Sequence, residues 1–429
     1  MSASLILIIF IVLLVLMFLK VPVFISILGA SLLYFFFNHG VSPVIFAQKA
    51  ISGTEGISLL AIPFFVFLGA LMNYSGVSGR IYDFAGTLTG RMRGGLAQVN
   101  VLVSTLMGGL SGSNLADAAM DAKMLVPQME RKGFSKAFSS VVTAASAMIT
   151  PLIPPGIAMI IYGSIANVSI GRLFVSGIGV GLFLCLALMI LVAVLSRLRD
   201  YKPIRTTRLT GREILRTTKP AILPLCIPLI IIGAIRAGIV TPTEAGSAAV
   251  VLAILLGIYY KELNWENFKK AACETVTSTS SILLIISAAT VFSWVLTKER
   301  IPQQIADWLL LSIHNKYLFL LIVNIFLIIV GMFVEGNASM IILVPLLAPI
   351  AAKFGINEIH FAMMFIFNGA IGALSPPMGT LMFVTCGITK CPTKDFIKEA
   401  VPFYILLVVI LLMLTYIPFL TTGLVDLVY

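Results

Sequence analysis

The chain has 429 residues, of which 59% are apolar and only 11% are Asp, Glu, Lys or Arg, against roughly 25% charged residues in an ordinary soluble protein. A soluble fold of this size cannot hide so much apolar surface behind a polar exterior, so the composition excludes a water-dissolved domain and indicates lipid as the solvent. The excess of 29 Lys+Arg over 18 Asp+Glu gives +11; scattered between apolar runs, this charge reads as positive-inside loops and not as a nucleic-acid surface.

A spanning helix needs about 20 mainly apolar residues, so the length allows about ten spans in an all-α polytopic membrane protein. Spans are expected near 5–19 and 21–37. The first is a retained span and not a cleaved signal peptide, because no basic segment precedes it and Lys20 and Pro22 follow it directly. A short amphipathic piece follows near 42–53. The apolar stretch 57–73 carries Pro63 near its middle. It is expected as a re-entrant hairpin, with a kinked span as the alternative; such backbone is tolerated only where protein or a water-filled cavity covers it.

Next come a connector at 80–93 with Arg80, Arg91 and Arg93, interrupted helices at 95–127 and 136–166, and a span near 171–196. Residues 197–219 form a basic linker, with Arg197, Arg199, Lys202, Arg205, Arg208, Arg212, Arg216 and Lys219 against Asp200 and Glu213. It is expected in the cytoplasm. The second half offers spans at 221–235 and 242–260 and a polar connector at 261–274. A second hairpin is expected at 275–297, opening on Thr277-Ser-Thr-Ser-Ser281. Broken helices at 317–351 and 359–389 and a span at 400–420 complete it.

The halves repeat. Gly109-Leu-Ser-Gly-Ser-Asn-Leu-Ala-Asp117 before Pro127 matches Gly331-Met-Phe-Val-Glu-Gly-Asn-Ala-Ser339 before Pro349, at an offset of 222. Pro154-Pro-Gly156 and Pro376-Pro-Met-Gly379 keep that offset, as do Arg172-Leu-Phe174 and Lys394-Asp-Phe396. Pro22 and Pro242 are 220 apart. The landmarks indicate an internal duplication, 1–196 and 220–429, joined by the basic linker. If the hairpins do not cross, each half has five crossings, and the odd count makes the repeats inverted. Three crossings then separate the arginines of 80–93 from the linker, so both cannot be cytoplasmic; the denser linker is taken to be.

Both breaks free main-chain carbonyls. Pro154 and Pro155 carry no N–H, so Thr150 and Pro151 lose their helical donors; Pro376 and Pro377 do the same to Gly372 and Ala373. In hydrocarbon each unpaired carbonyl costs several kcal/mol. A desolvated sodium ion fits such oxygens, with water or a neighbouring hydroxyl as the alternative. Ser111, Ser113 and Asn114 add side-chain oxygens in the first half, and Glu335, Asn337 and Ser339 in the second. Asp117 and Asp121 are either functional intramembrane charges or an exposed helix end, and Glu335 is either functional or a neutral carboxyl bonded inside the bundle. Half-helices starting near Ser113 and Gly336 direct positive dipole ends inward, which favours anions. Together these features predict a sodium-coupled carrier of an organic anion.

Other signals are quiet. Cys185, Cys226, Cys273, Cys386 and Cys391 form no CxxC pair and read as buried free thiols. His39, His314 and His360 lie far apart, so metal ligation or His-dependent catalysis is not indicated. No Walker-type GxxxxGK[ST] or GxSxG elbow occurs, so neither ATP hydrolysis nor an enzyme is expected, and no cofactor beyond sodium.

The stretches Gly108-Gly-Leu-Ser-Gly-Ser-Asn114, Pro154-Pro-Gly156, Thr241-Pro-Thr-Glu-Ala-Gly246, Glu335-Gly-Asn337 and Ser375-Pro-Pro-Met-Gly379 resemble the large membrane subunit of tripartite ATP-independent periplasmic (TRAP) transporters. The resemblance implies an elevator-type fold in the inner membrane, a transport domain containing both hairpins and both broken helices, and sodium coupling. It implies one sodium site at Ser111, Asn114, Thr150, Ile153 and Pro155 and a second at Glu335, Gly336, Gly372, Ser375 and Pro377. Substrate is expected beside them, at Ser113, Asp117, Gly156, Asn337, Ser339, Gly379 and Thr380. The implied partners are a separate small four-span membrane subunit, a periplasmic substrate-binding protein and lipid. Family substrates are C4-dicarboxylates and sialic acid, and Met378-Gly-Thr-Leu-Met-Phe-Val-Thr-Cys386 is similar to the sialic acid branch. The alternatives are a stand-alone dicarboxylate carrier and a channel or scaffold subunit.

Overall fold

The structure, a computed structural model, describes residues 3–19, 21–38, 40–205, 210–313 and 315–429. Lys20, His39, Arg208 and His314, named above, lie outside the described residues. The first half runs through α1 (Ala3–Phe18), α2 (Val23–Phe37), α3 (Val44–Ser52), α4 (Ala61–Tyr74), α5 (Val77–Thr89) and α6 (Gly95–Ser111). It continues through α7 (Asn114–Met124), α8 (Val126–Arg131), α9 (Lys136–Ser146), α10 (Ile157–Ala166) and α11 (Ile170–Leu198). The second comprises α12 (Gly211–Arg236), α13 (Pro242–Tyr259), α14 (Trp265–Lys298), α15 (Ile301–Ser312) and α16 (Lys316–Gly331). It ends with α17 (Gly336–Lys353), α18 (Glu358–Leu374), α19 (Thr380–Thr389), α20 (Thr393–Tyr416) and α21 (Phe419–Val428).

The long helix α11 is apolar on every side. Along α11, Val180, Leu184, Leu188 and Val192 are buried, while Leu182, Leu186, Ile190 and Val194 point outward. A helix hydrophobic all round belongs in a bilayer. Among the described residues, seven helices are long and apolar enough to cross one, and nine shorter apolar helices of 10–17 residues accompany them. The shorter ones include both members of the broken pairs α9/α10 and α18/α19.

The duplication is visible element by element. α7 begins at Asn114 and α17 at Gly336, α9 at Lys136 and α18 at Glu358, each 222 residues apart. The packing is reciprocal. α7 packs on α19 of the other half, and its counterpart α17 packs on α10, the counterpart of α19. Such exchange of equivalent contacts is what a pseudo-twofold axis imposes.

Of the two hairpins expected from sequence, neither 57–73 nor 275–297 turns back within its own bounds; each leads into a tight turn, at Ser75-Gly76 and at Glu299-Arg300, after which α5 packs on α4 and α15 on α14. Residues 275–297 lie inside α14, a single 34-residue helix. Thr275, Thr277 and Ser281 donate back to the carbonyls of Ala271, Cys273 and Thr277 at 2.7, 3.0 and 2.9 Å. These hydroxyls bond within the helix and force no turn, while Thr279 Oγ1 is buried without a partner. Residues 57–73 form a 3₁₀ turn, Ile57–Leu60, and then α4. Pro63 is the third residue of α4, in the first turn, where a missing N–H costs no helical bond. The halves differ because Gly53-Thr-Glu-Gly56 separates α3 from α4, whereas Thr275-Val-Thr-Ser278 at the same register lets α14 run on.

Among the cysteines, Cys185, Cys386 and Cys391 are buried as expected, Cys226 is half-buried and Cys273 is exposed. His360 is buried, with Nδ1 2.7 Å from Thr421 Oγ1 and Nε2 3.2 Å from the Thr415 carbonyl, a packing role in the second half. Residues 197–205 of the linker are anchored at two points. Arg199 pairs with Glu399 of α20 and lies over the Phe138 ring of α9, and Arg205 Nη2 donates to the Thr87 carbonyl at 3.1 Å. Glu399→Ala is expected to lower the stability of the solubilised protein by about 1 kcal/mol, the scale of a part-exposed ion pair. Arg199→Ala on top of it should cost less than Arg199→Ala alone. Thermal unfolding in detergent reads both; fully additive losses would mean the pair is not coupled.

Candidate functional site

The helix breaks sit where the proline pairs require them. α9 passes through a 3₁₀ turn, Ala147–Ile149, and resumes as α10 only at Ile157; α18 stops at Leu374 and α19 starts at Thr380. Among the described residues no backbone N–H reaches the carbonyls of Thr150, Pro151 or Ala373. Gly372 departs from expectation, since its carbonyl accepts Ser375 N–H at 3.0 Å. Ser375 is the last residue before the prolines and still has an N–H with which to close the turn. Its hydroxyl donates to the Ile371 carbonyl at 2.8 Å.

A glycine follows each proline pair for a steric reason. A Cβ at Gly156 would lie 2.5 Å from the Pro151 oxygen, and one at Gly379 would lie 2.6 Å from the Ser375 oxygen and 2.7 Å from that of Ala373. The glycines thus let the chain fold back onto the bared carbonyls.

The second component is the pair of short interruptions preceding α7 and α17. Ser113 caps α7 by accepting Ala116 N–H at 3.4 Å, and Asn114 Oδ1 accepts Leu115 N–H at 2.9 Å. Glu335 caps α17 by accepting Ala338 N–H at 3.2 Å, and the buried Ser339 hydroxyl donates to the Glu335 carbonyl at 3.2 Å. The expected helix starts near Ser113 and Gly336 are therefore observed. Thr150 Oγ1 donates to Asp117 Oδ2 at 2.6 Å, tying the first interruption to the first proline break. Asp117 Oδ1 and Ser111 Oγ are buried and have no full-geometry hydrogen bond, and each is the other's nearby polar group. Asp117 and Asp121 are each only 1% exposed, which removes the exposed-helix-end alternative. Asp121 is held by the Tyr82 hydroxyl and by Ser104 Oγ, the latter at 3.1 Å.

These parts meet around a cavity of about 390 Å³. Of the residues expected at the sites, Ser111, Ser113, Asn114, Glu335, Gly336, Asn337 and Thr380 line it. The others do not line it: Thr150, Ile153, Pro155, Gly156, Ser375, Pro377 and Gly379 lie on the two breaks, Gly372 in the last turn of α18, Asp117 in α7 and Ser339 in α17. On the first side the packing is close. A Cβ at Gly108 would lie 3.0 Å from Thr150 Cα and 3.3 Å from Ile153 Cβ, and one at Gly112 would lie 3.0 Å from the Pro155 oxygen.

The starts of four helices border the cavity: α7 through Asn114, Leu115 and Ala116, α17 through Gly336 and Asn337, α10 through Ile157 and Ala158, and α19 through Thr380. The glycine caps of α10 and α19 offer no side chain, so their first N–H groups remain available. Each helix start carries a partial positive charge of roughly half a unit, and together they favour an anion. A further part of the lining was not foreseen from sequence. It comprises Asn73 of α4 and Glu274, Thr277, Ser278 and Ser281 of α14. The signal was their helical spacing, one face of an uninterrupted helix, obscured by reading the hydroxyl row as a break.

Residues 10–420 match the family model of the tripartite ATP-independent periplasmic transporter, DctM component. The chain is 36% identical over 404 residues to the sialic acid TRAP transporter large permease protein SiaM of Vibrio cholerae, covering 94% of both. It is 37% identical over 373 residues to the C4-dicarboxylate TRAP transporter large permease protein DctM of Pseudomonas aeruginosa, covering 87% of both. The YdaH transporter of Alcanivorax borkumensis superposes with a TM-score of 0.60 at 14% identity, covering 86% of both chains, and so shares the fold. The chain belongs to the family of large membrane subunits of TRAP transporters. It is a transport subunit of the inner membrane and not an enzyme, and membership implies association with a small membrane subunit and a periplasmic binding protein.

Gly156→Ala and Gly379→Ala are expected to force the breaks apart at a cost of about 1–3 kcal/mol each, the scale of overpacking. Gly387→Ala, whose Cβ would meet nothing within 4 Å, is the control and should be neutral or slightly stabilising. Thermal unfolding of the three variants in detergent checks this; equal behaviour of all three would contradict the packing described.

Proposed function

We propose that the chain couples inward movement of sodium to uptake of an organic acid anion, as the transport subunit of a TRAP system working by an elevator mechanism between two inverted repeats. The observation that carries this reading is the meeting, at one cavity, of four helix starts and of two breaks with unpaired carbonyls. Helix starts supply N–H donors for an anion, and bared oxygens supply ligands for a hard cation. Each net charge moved inward through 100 mV contributes about 2.3 kcal/mol.

The first sodium ion would be held by Ser111, Asn114, Thr150, Ile153 and Pro155. The Ser111 hydroxyl, buried without a full-geometry hydrogen bond, and the unpaired Thr150 carbonyl support this placement. The second would be held around Glu335, Gly336, Ser375 and Pro377. There the Ala373 oxygen is the better main-chain ligand, because that of Gly372 already accepts a hydrogen bond. Substrate would lie among Ser113, Asn337 and Thr380, with Gly156 and Gly379 shaping the helix starts and Asp117 and Ser339 supporting them. Sialic acid is the favoured substrate, from the likeness to SiaM, with a C4-dicarboxylate next, from the likeness to DctM. The partners would be a small four-span subunit and a periplasmic protein that delivers the acid.

Reconstitution in liposomes tests the reading. Uptake is expected only with an inward sodium gradient, the small subunit and loaded binding protein together. Ser111→Ala and Glu335→Gln should each reduce it about tenfold or more, the effect of losing about 1.4 kcal/mol, while Lys219→Ala leaves it unchanged. Sodium-independent uptake would refute the coupling, and uptake by the chain alone would make it a stand-alone carrier.

A further inference from the structure

The cavity has a charge pattern unusual for an anion carrier. Two carboxylates line it, Glu274 and Glu335, and among the described residues no Lys, Arg or His does. Glu335 is committed to the start of α17 through Ala338 N–H. Glu274 is exposed, sits beside Tyr74 of α4 and forms no ion pair among the described residues. Lys270, one turn earlier on the same helix, is paired with Glu266 at 2.7 Å.

The rest of the α14 wall shares this chemistry. Glu274, Thr277, Ser278 and Ser281 recur at helical spacing and so form one continuous stripe. The hydroxyl protons of Thr277 and Ser281 are spent on the carbonyls of Cys273 and Thr277 at 3.0 and 2.9 Å. Towards the cavity these oxygens can therefore only accept. The starts of α10 and α19 present free N–H groups to the same cavity. The cavity thus offers N–H groups suited to one carboxylate and, on α14, a carboxylate and hydroxyl lone pairs suited to hydroxyl and amide N–H groups.

We propose that Glu274 is a specificity-determining residue, and that with Thr277 and Ser281 it restricts the substrate to acids carrying a single carboxylate and hydrogen-bond donors at the far end. This rests on the anion-carrier reading above. A dicarboxylate bound by one carboxylate at the helix starts would bring its second against Glu274 and two hydroxyl lone pairs. Like charges there repel, and no basic side chain on the cavity wall offsets them.

The test is direct binding to the purified chain in complex with its small membrane subunit, in sodium buffer, with N-acetylneuraminate and succinate as probes. The native complex should bind N-acetylneuraminate about tenfold or more tightly than succinate. Glu274→Gln should raise succinate affinity about tenfold, and Glu274→Lys should raise it further and reverse the preference. Native binding of succinate as tight as that of N-acetylneuraminate would overturn the proposal, as would succinate affinity unmoved in both variants. In either case binding of an acid leaves the anion-carrier reading standing, whereas binding of neither acid to the native complex would remove both.

Discussion

A main-chain carbonyl in an apolar interior must find a partner, and two proline pairs in this chain prevent it from finding one within its own helix. Thr150, Pro151 and Ala373 are left with oxygens that no backbone N–H reaches among the described residues. Everything else in the site is arranged around that requirement. The glycines at 156 and 379 leave room for the oxygens, and the duplicated architecture places the two breaks on equivalent sides of one cavity. The interruption therefore does two things at once. Above it, carbonyls accumulate; below it, a new helix starts and exposes N–H groups.

Reciprocal packing explains why the two sets of groups converge. Because α7 packs on α19 and α17 on α10, each half contributes one short helix to the other's broken one. The cavity lies where these exchanged contacts meet, so cation ligands and anion donors from both repeats come within one small volume. On the proposed reading, binding of either ion would raise the affinity for the other, a coupling that is reciprocal by thermodynamic necessity. Glu335 illustrates the economy of the arrangement, since one carboxylate caps α17 and also borders the cavity.

Much of this was legible in the sequence because proline and glycine act locally. The missing N–H groups of Pro154, Pro155, Pro376 and Pro377 set the breaks wherever they fall, and their 222-residue offset exposed the duplication before any contact was known. Ser113 and Glu335 were readable as helix starts for the same local reason. The failures arose where the outcome depended on which partner a group chose. The hydroxyls of Thr277 and Ser281 bond to their own helix and continue it, so the chain turns back only at Glu299-Arg300, between α14 and α15. Pro63 falls in a first helical turn, a position fixed by where α4 begins and not by the proline. The Gly372 carbonyl found Ser375 N–H, which counting four residues back from each proline does not reveal. Burial of Asp117 and Asp121, and the facing of the α14 stripe toward the cavity, are products of tertiary approach and carry no local signature.

The central claim is that the bared oxygens of the two breaks hold sodium. A high-resolution cryo-EM map of the protein in sodium, set against one in which choline replaces it, tests this most directly. The account predicts compact density within about 2.3–2.6 Å of the Thr150 and Ala373 carbonyls in sodium, and its loss in choline. Identical maps, with those oxygens bonded to protein or to water in both, would contradict it.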